Sequence, residues 1–117
     1  MSKELTSEEI QVIAFQIILH SGTARTSIHQ AFALMREGKF EEASVELNAA
    51  KEEVVNAHKS QTELLQQYAS GTKIEMEIIM VHAQDHLMTT MTLQEVAEEM
   101  AYIYQQNRKI MDRLEVE

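Results

Sequence analysis

The residues best suited to chemistry lie in one run, Val81-His82-Ala83-Gln84-Asp85-His86-Leu87-Met88. His82, Asp85 and His86 stand at i, i+3 and i+4, so on a helix they share a face. The run is set among apolar residues, with Ile78-Ile79-Met80 before it and Leu87-Met88 at its end. Burying ionisable groups there costs free energy unless something compensates, which makes the run the first candidate site. Three chemistries suit it. His82, Asp85 and His86 could ligate one metal ion, although the run lacks the paired His with intervening Glu of metalloprotease helices. Asp85 could orient a His in a purely structural network. Or a His could carry a phosphoryl group, since a neutral imidazole nitrogen is a competent nucleophile without an activating base. The N–P bond formed is labile, so the group can be passed on. His20, His29 and His58 are isolated in sequence, and structural or solvated roles account for them.

Asp85 falls in register with Ile74, Ile78, Val81 and Met88. If that stripe lines a symmetric interface, copies of Asp85 meet on the axis. Three carboxylates about 5 Å apart, at an effective dielectric near 20, repel by roughly 3 kcal/mol per pair and about 10 in total. That is comparable to a domain's whole stability. A proton or a divalent cation must then be present, and hard oxygen ligands suit Mg²⁺. The competing reading has Asp85 bonding a neighbour such as Gln61 or a His.

Three helices are predicted to position this run, as an all-α bundle forming a single domain over residues 1–117. The first covers about 7–37. Thr6-Ser7-Glu8-Glu9 reads as a capping box, and Gly38 suits the C-terminal cap. Its stripe is Ile10, Ala14, Ile17, Ser21, Ala24, Ile28, Ala31 and Met35, in steps of four and three. The second helix covers about 40–70, with Phe40, Ala43, Leu47, Ala50, Val54, Ala57, Gln61, Leu64 and Tyr68 on its stripe and Gly71 closing it. The third is expected over about 73–114, opened by a second capping box, Thr72-Lys73-Ile74-Glu75. Its stripe runs Ile74, Ile78, Val81, Asp85, Met88 and, after a polar stretch, Leu93, Val96, Met100, Ile103, Ile110 and Leu114. The charged tail Asp112–Glu117 is expected to fray. Short connections between helices of about 45 Å require antiparallel neighbours, hence an up-down-up course.

Two helices carry opposed apolar faces. Val12, Phe15, Leu19 and Gly22 lie two residues out of phase with the first stripe of helix one, or about 200° around it. Met76, Met80, Ala83 and Leu87 do the same on helix three. A lone bundle needs one apolar face per helix, so the second faces predict another copy of the chain. The simpler alternative is a bent helix whose buried face shifts along its length.

Composition narrows the function classes. The chain has 117 residues, no Pro, no Cys, no Trp and 3 Gly. Lacking Cys, it has no disulfide framework, thiolate zinc site or cysteine nucleophile. Few turn-formers argue against a β-sandwich or barrel. Lys and Arg total 10 against 19 Asp and Glu, for a net charge of −9. Such a chain has no electrostatic drive toward nucleic acid or anionic membranes. Its longest apolar stretch, Val12–Leu19, is too short to span a bilayer, and the start Met1-Ser2-Lys3-Glu4 lacks a signal-peptide pattern. The expected compartment is the cytoplasm. Six of the 8 Met lie from Met76 to Met111, as core filler or as an adaptable partner surface.

Three segments together resemble the lactose/cellobiose-type IIA components of the bacterial phosphoenolpyruvate-dependent sugar phosphotransferase system. They are Ser21-Gly22-x-Ala24-Arg25, Ala57-His58-x-x-Gln61 and Val81–Met88, within a match spanning about Ser7 to Gln105. The resemblance implies a three-helix bundle assembling as a homotrimer. It implies that His82 accepts and donates the phosphoryl group, with Gln84 and His86 as polar residues beside it. It implies that Asp85 gathers around one Mg²⁺ or similar cation per trimer, on the axis. The donor would be HPr and the acceptor a cysteine of a IIB component, with a IIC permease beyond. Lactose, cellobiose and chitobiose systems share these motifs, so the sugar stays open. With so acidic a chain, partners are expected to supply much of the cationic stabilisation of the transferred group. A helical adaptor without chemistry is the rival from another class. A redox or hydrolytic metalloprotein would need more carboxylate ligands than Asp85 supplies.

Overall fold

The computed structural model describes residues 4–115. The expectations made for Met1, Ser2, Lys3, Val116 and Glu117 lie outside the described residues. The chain forms three helices, α1 (Ser7–Arg36), α2 (Phe40–Ala69) and α3 (Ile78–Glu115). The described residues contain no strand beyond one isolated bridge between Glu4 and Lys73.

Helix ends follow the local chemistry. The Thr6 hydroxyl accepts from the Glu9 amide at 3.1 Å and the Glu9 carboxylate accepts from the Thr6 amide at 2.9 Å, completing the capping box. Gly38 and Gly71 take φ of 77° and 99°, which a Cβ would disfavour. Each lets the residue after it donate back into the helix, Lys39 to the Leu34 carbonyl at 2.9 Å and Thr72 to that of Gln67 at 3.0 Å. These are Schellman closures.

The core lies in two clusters. One joins Ile10, Ala14 and Ile17 of α1 with Ala57 and Leu64 of α2 and Met80, Ala83 and Leu87 of α3. The other joins Ala24, Ile28, Ala31 and Met35 with Ala43, Leu47, Ala50 and Ala97. The buried residues of α1 are the eight of its predicted stripe, so its buried face does not shift along the helix. In α2, Phe40 and Val54 are half-buried and pack against the second cluster, while Tyr68, at the last turn of the helix, is exposed and departs from the predicted stripe.

Helix three departs most from expectation. It begins at Ile78, not near residue 73. Residues 72–77 are not helical; the Leu5 amide donates to the Lys73 carbonyl at 3.0 Å, and Leu5 and Ile74 pack on the first cluster. Pairing with the N-terminal segment replaces the predicted second capping box and leaves Met76 exposed. The inward face is Met80, Ala83, Leu87, Thr90, Gln94 and Ala97. The stripe through Ile78, Val81 and Met88, continued by Val96, Ile103, Ile110 and Leu114, faces solvent. Of that predicted series Ile74, which precedes the helix, Leu93 and Met100 are half-buried. The charged tail, expected to fray, stays helical through Glu115.

Leu87 is fully buried between α1 and α2. Leu87→Ala is expected to cost about 2–5 kcal/mol, read as a shifted urea midpoint by circular dichroism. Val45→Ala, at an exposed position of α2, should stay within about 0.5 kcal/mol.

Candidate functional site

The inward stripe fixes the rotation of α3, and with it every side chain of the run 81–88. Ala83 and Leu87 point into the core. His82 and His86 then lie on one flank and Gln84 and Met88 on the other, because two residues turn a helix by about 200°. Asp85 shares the outer face with Ile78 and Val81, and all three are exposed.

His82 is exposed and His86 half-buried. Their ring centroids are 6.0 Å apart and the planes cross at 76°, an edge-on pair. No protein hydrogen bond to His82 is present among the described residues, so either ring nitrogen is open to a reagent from solvent. His86 is anchored. Its Nδ1 stands 3.4 Å from the Thr90 hydroxyl, and the Arg25 Nε donates to that hydroxyl at 2.9 Å. Arg25 also donates through Nη2 to the Thr89 hydroxyl. Arg25 thus ties α1 to the turn of α3 that follows the histidines.

Gln84 is not brought to His82 within the protomer. Its side-chain carbonyl accepts from Gln61 Nε2, and its own Nε2 donates to Met80 Sδ at 3.6 Å. Gln61 also donates to Met88 Sδ at 3.7 Å. The two amides form a polar lock between α2 and α3, with Gln61 the buried member. The alternative in which Asp85 bonds Gln61 or a His is not realised: the Asp85 side chain makes no hydrogen bond or ion pair among the described residues.

A metal centre within one protomer is not formed, since no group of three His, Cys, Asp or Glu among the described residues could hold an ion. His82, Asp85 and His86 share a sector of α3, yet they do not converge as ligands of one ion. Asp85 fits a cation only if copies of the chain bring further carboxylates to it, and its exposed, unpartnered position leaves it available for that. The isolated histidines have separate settings. His20 Nδ1 is 2.6 Å from the Glu53 carboxylate, joining α1 to α2, and the His29 ring lies 6.3 Å from that of Phe32. His58 is exposed on α2.

Residues that sequence reasoning gave no role are Arg25, Thr89 and Thr90. Arg25 stood only as a letter of the resemblance, and the polar stretch after Met88 hid an inward-facing Thr. The signal that could have found them is spacing: Thr90 continues the series Met80, Ala83, Leu87 by steps of three and four. From Ile78 through Asn107 the chain has no Lys or Arg, so Arg25 is the cation hydrogen-bonded to this part of α3.

Residues 12–105 match the model of the family described as PTS system, lactose/cellobiose specific IIA subunit. The chain is 48% identical over 99 residues to the lichenan-specific phosphotransferase enzyme IIA component of Bacillus subtilis (strain 168), covering 85% of this chain and 90% of that one. Its fold is similar to the crystal structure of PtcA from S. mutans, with a TM-score of 0.85 and 58% identity over 86% of this chain and 99% of that one. It is also similar to a chain in the solution structures of the IIA(chitobiose)–HPr complex of the N,N'-diacetylchitobiose branch of the Escherichia coli phosphotransferase system. There the TM-score is 0.73 and the identity 26%, over 87% of this chain and 99% of that one. No helix among the described residues is long and apolar enough to cross a membrane.

The amide lock makes a test of the packing beside the site. Gln61→Ala removes the donor and strands the half-buried Gln84 carbonyl. A loss of about 1–3 kcal/mol in urea denaturation, with unchanged helical content, is the expected result.

Proposed function

The chain belongs to the lactose/cellobiose-specific IIA family of the phosphotransferase system, whose members carry phosphoryl groups, and on that premise we propose that His82 is the carrying residue. The observation that carries the proposal is the setting of His82: an exposed imidazole with no protein hydrogen bond, edge-on to a second ring that is anchored. A ring nitrogen of His82 attacks the phosphorus of phospho-HPr. The new N–P bond forms as the bond to HPr breaks, and the electron pair leaves with HPr. In the second transfer a thiolate of a IIB component attacks the same phosphorus, and the N–P electron pair returns to His82. His86 lies where it can orient the group. Gln84 acts at one remove, through the lock with Gln61. The IIC permease lies beyond IIB, and the cargo is a β-linked disaccharide of the cellobiose, lactose or chitobiose type. The reaction takes place in the cytoplasm.

The protomer is read as an up-down-up bundle. The two core clusters support this, since each pairs the start of one helix with the end of the next. The assembly is read as a homotrimer. Its support is the pair of apolar stripes that one protomer leaves exposed, Val12, Phe15 and Leu19 on α1 and Ile78, Val81 and Met88 on α3. Asp85 sits in the second of these. Three copies would offer hard carboxylate oxygens to one Mg²⁺ or similar ion, which would neutralise charge on the axis and lock the assembly.

His82→Ala should abolish labelling by phospho-HPr while the helical spectrum is unchanged. Labelling that persists in the variant places the phosphoryl group elsewhere. Asp85→Leu should release the metal, read by elemental analysis of the purified protein, and leave a trimer by sedimentation, because an apolar residue continues the stripe. A variant that keeps its metal would remove Asp85 from the axis.

A further inference from the structure

We propose that Arg25 is a positioning residue for phosphoryl transfer: through the Thr90 hydroxyl it holds the His86 ring with its proton on Nδ1, which leaves Nε2 as the free nitrogen. The inference rests on the reading of His82 as carrier with His86 beside it.

The protons around one oxygen set the tautomer. Thr90 is fully buried, one turn beyond His86. Its hydroxyl has a single proton, donated to the His86 backbone carbonyl at 2.6 Å. A guanidinium can only donate, so the contact from Arg25 Nε at 2.9 Å occupies an acceptor site of the same oxygen. What remains of Thr90 Oγ is one lone pair, and His86 Nδ1 stands 3.4 Å from it. A lone pair facing a bare nitrogen would repel, so Nδ1 carries the N–H. The second arm of Arg25 repeats the pattern, for Nη2 donates to the Thr89 hydroxyl, whose proton goes to the Asp85 carbonyl at 2.8 Å. The planar fork reaches the two hydroxyls from two separate nitrogens, Nε and Nη2, a geometry the single nitrogen of a Lys ammonium does not reproduce. The result is a ring fixed in tautomer and orientation 6.0 Å from His82. Fixing a neighbour of the reacting group in one geometry lowers the barrier by removing the search for it.

The test reads the tautomer directly. Nitrogen-15 imidazole spectra of the assembled protein are recorded at about pH 8.5, above the ordinary His range, and transfer from phospho-HPr is timed by rapid quench. The parent should show His86 as Nδ1–H. Thr90→Val keeps the shape and removes the hydroxyl; it should shift His86 toward Nε2–H and slow transfer about five-fold, the worth of one ordinary hydrogen bond. Arg25→Ala should act in the same direction, and Thr90→Ser should restore both readouts. A parent already in the Nε2–H form, or an Nδ1–H form that persists in both Thr90→Val and Arg25→Ala, overturns the relay. If Thr90→Val does not fold, by circular dichroism, the Arg25→Ala tautomer decides alone. Transfer at the parental rate in His86→Ala would instead overturn the role of His86, and labelling of His82→Ala would overturn the carrier reading, whatever the tautomer.

Discussion

The rotation of α3 about its own axis is the constraint on which the site depends. Met80, Ala83, Leu87, Thr90, Gln94 and Ala97 must face α1 and α2, and burying that face leaves no freedom for the residues between them. One flank then receives His82 and His86 and meets α1, where Arg25 waits. The other receives Gln84 and meets α2, where Gln61 waits. Asp85 is left on the outside, opposite the core. A one-residue slip in helix phase would turn every one of these groups by about 100° and bring Ala83 to the surface. The tight packing of a core that tolerates little volume change is therefore what aims the imidazole.

Much of the fold was legible because α1 and α2 present one dominant stripe each to the other elements, and because Thr6, Gly38 and Gly71 end helices by chemistry that is local in sequence. Helix three was harder for a physical reason. Its inward face includes Thr90 and Gln94, while its outer face carries Ile78, Val81, Met88, Ile103 and Ile110, so hydropathy alone points at the wrong side. Periodicity registers apolar content and not the identity of the partner that covers it. The non-helical segment 72–77 was hidden because what holds it is the Leu5 amide on the Lys73 carbonyl, a contact distant in sequence that the letters of a capping box do not encode. The histidine run itself stood out because ionisable groups are set there among apolar letters, although in the folded chain His82 and Asp85 are exposed and His86 is half-buried, so the burial cost that drew attention to them is not incurred. The Arg25–Thr90 link did not, since it joins residues 65 apart and no local pattern encodes it.

The charge distribution bears on why the carried group stays transferable. A phosphoryl group brings between one and two negative charges near neutrality, and the chain is already at −9. Around the proposed carrier His82, helix three has no Lys or Arg from Ile78 through Asn107, and Arg25 is engaged with two hydroxyls. Phosphate held by a cationic cradle would be bound as a ground state and released reluctantly. Stabilisation that arrives only with a docked partner acts when the transition state forms, which is where it accelerates transfer.

The composition of the core bears on what the proposed assembly would add. Among the described residues half of the buried apolar side chains are alanine, including Ala14, Ala24, Ala31, Ala43, Ala50, Ala57, Ala83 and Ala97. Alanine lets helices approach closely but withdraws little apolar area from water, and stabilisation scales with that area. The larger side chains that would supply it, Val12, Phe15 and Leu19 on α1 and Ile78, Val81 and Met88 on α3, lie outside the protomer's core. A chain built this way stores much of its hydrophobic free energy in surfaces it cannot bury alone. In the proposed trimer that energy is released on assembly, so folding, association and the aiming of His82 become one linked equilibrium. Asp85, in the middle of the α3 stripe, is then the charge that such an assembly must neutralise before its apolar neighbours can be buried.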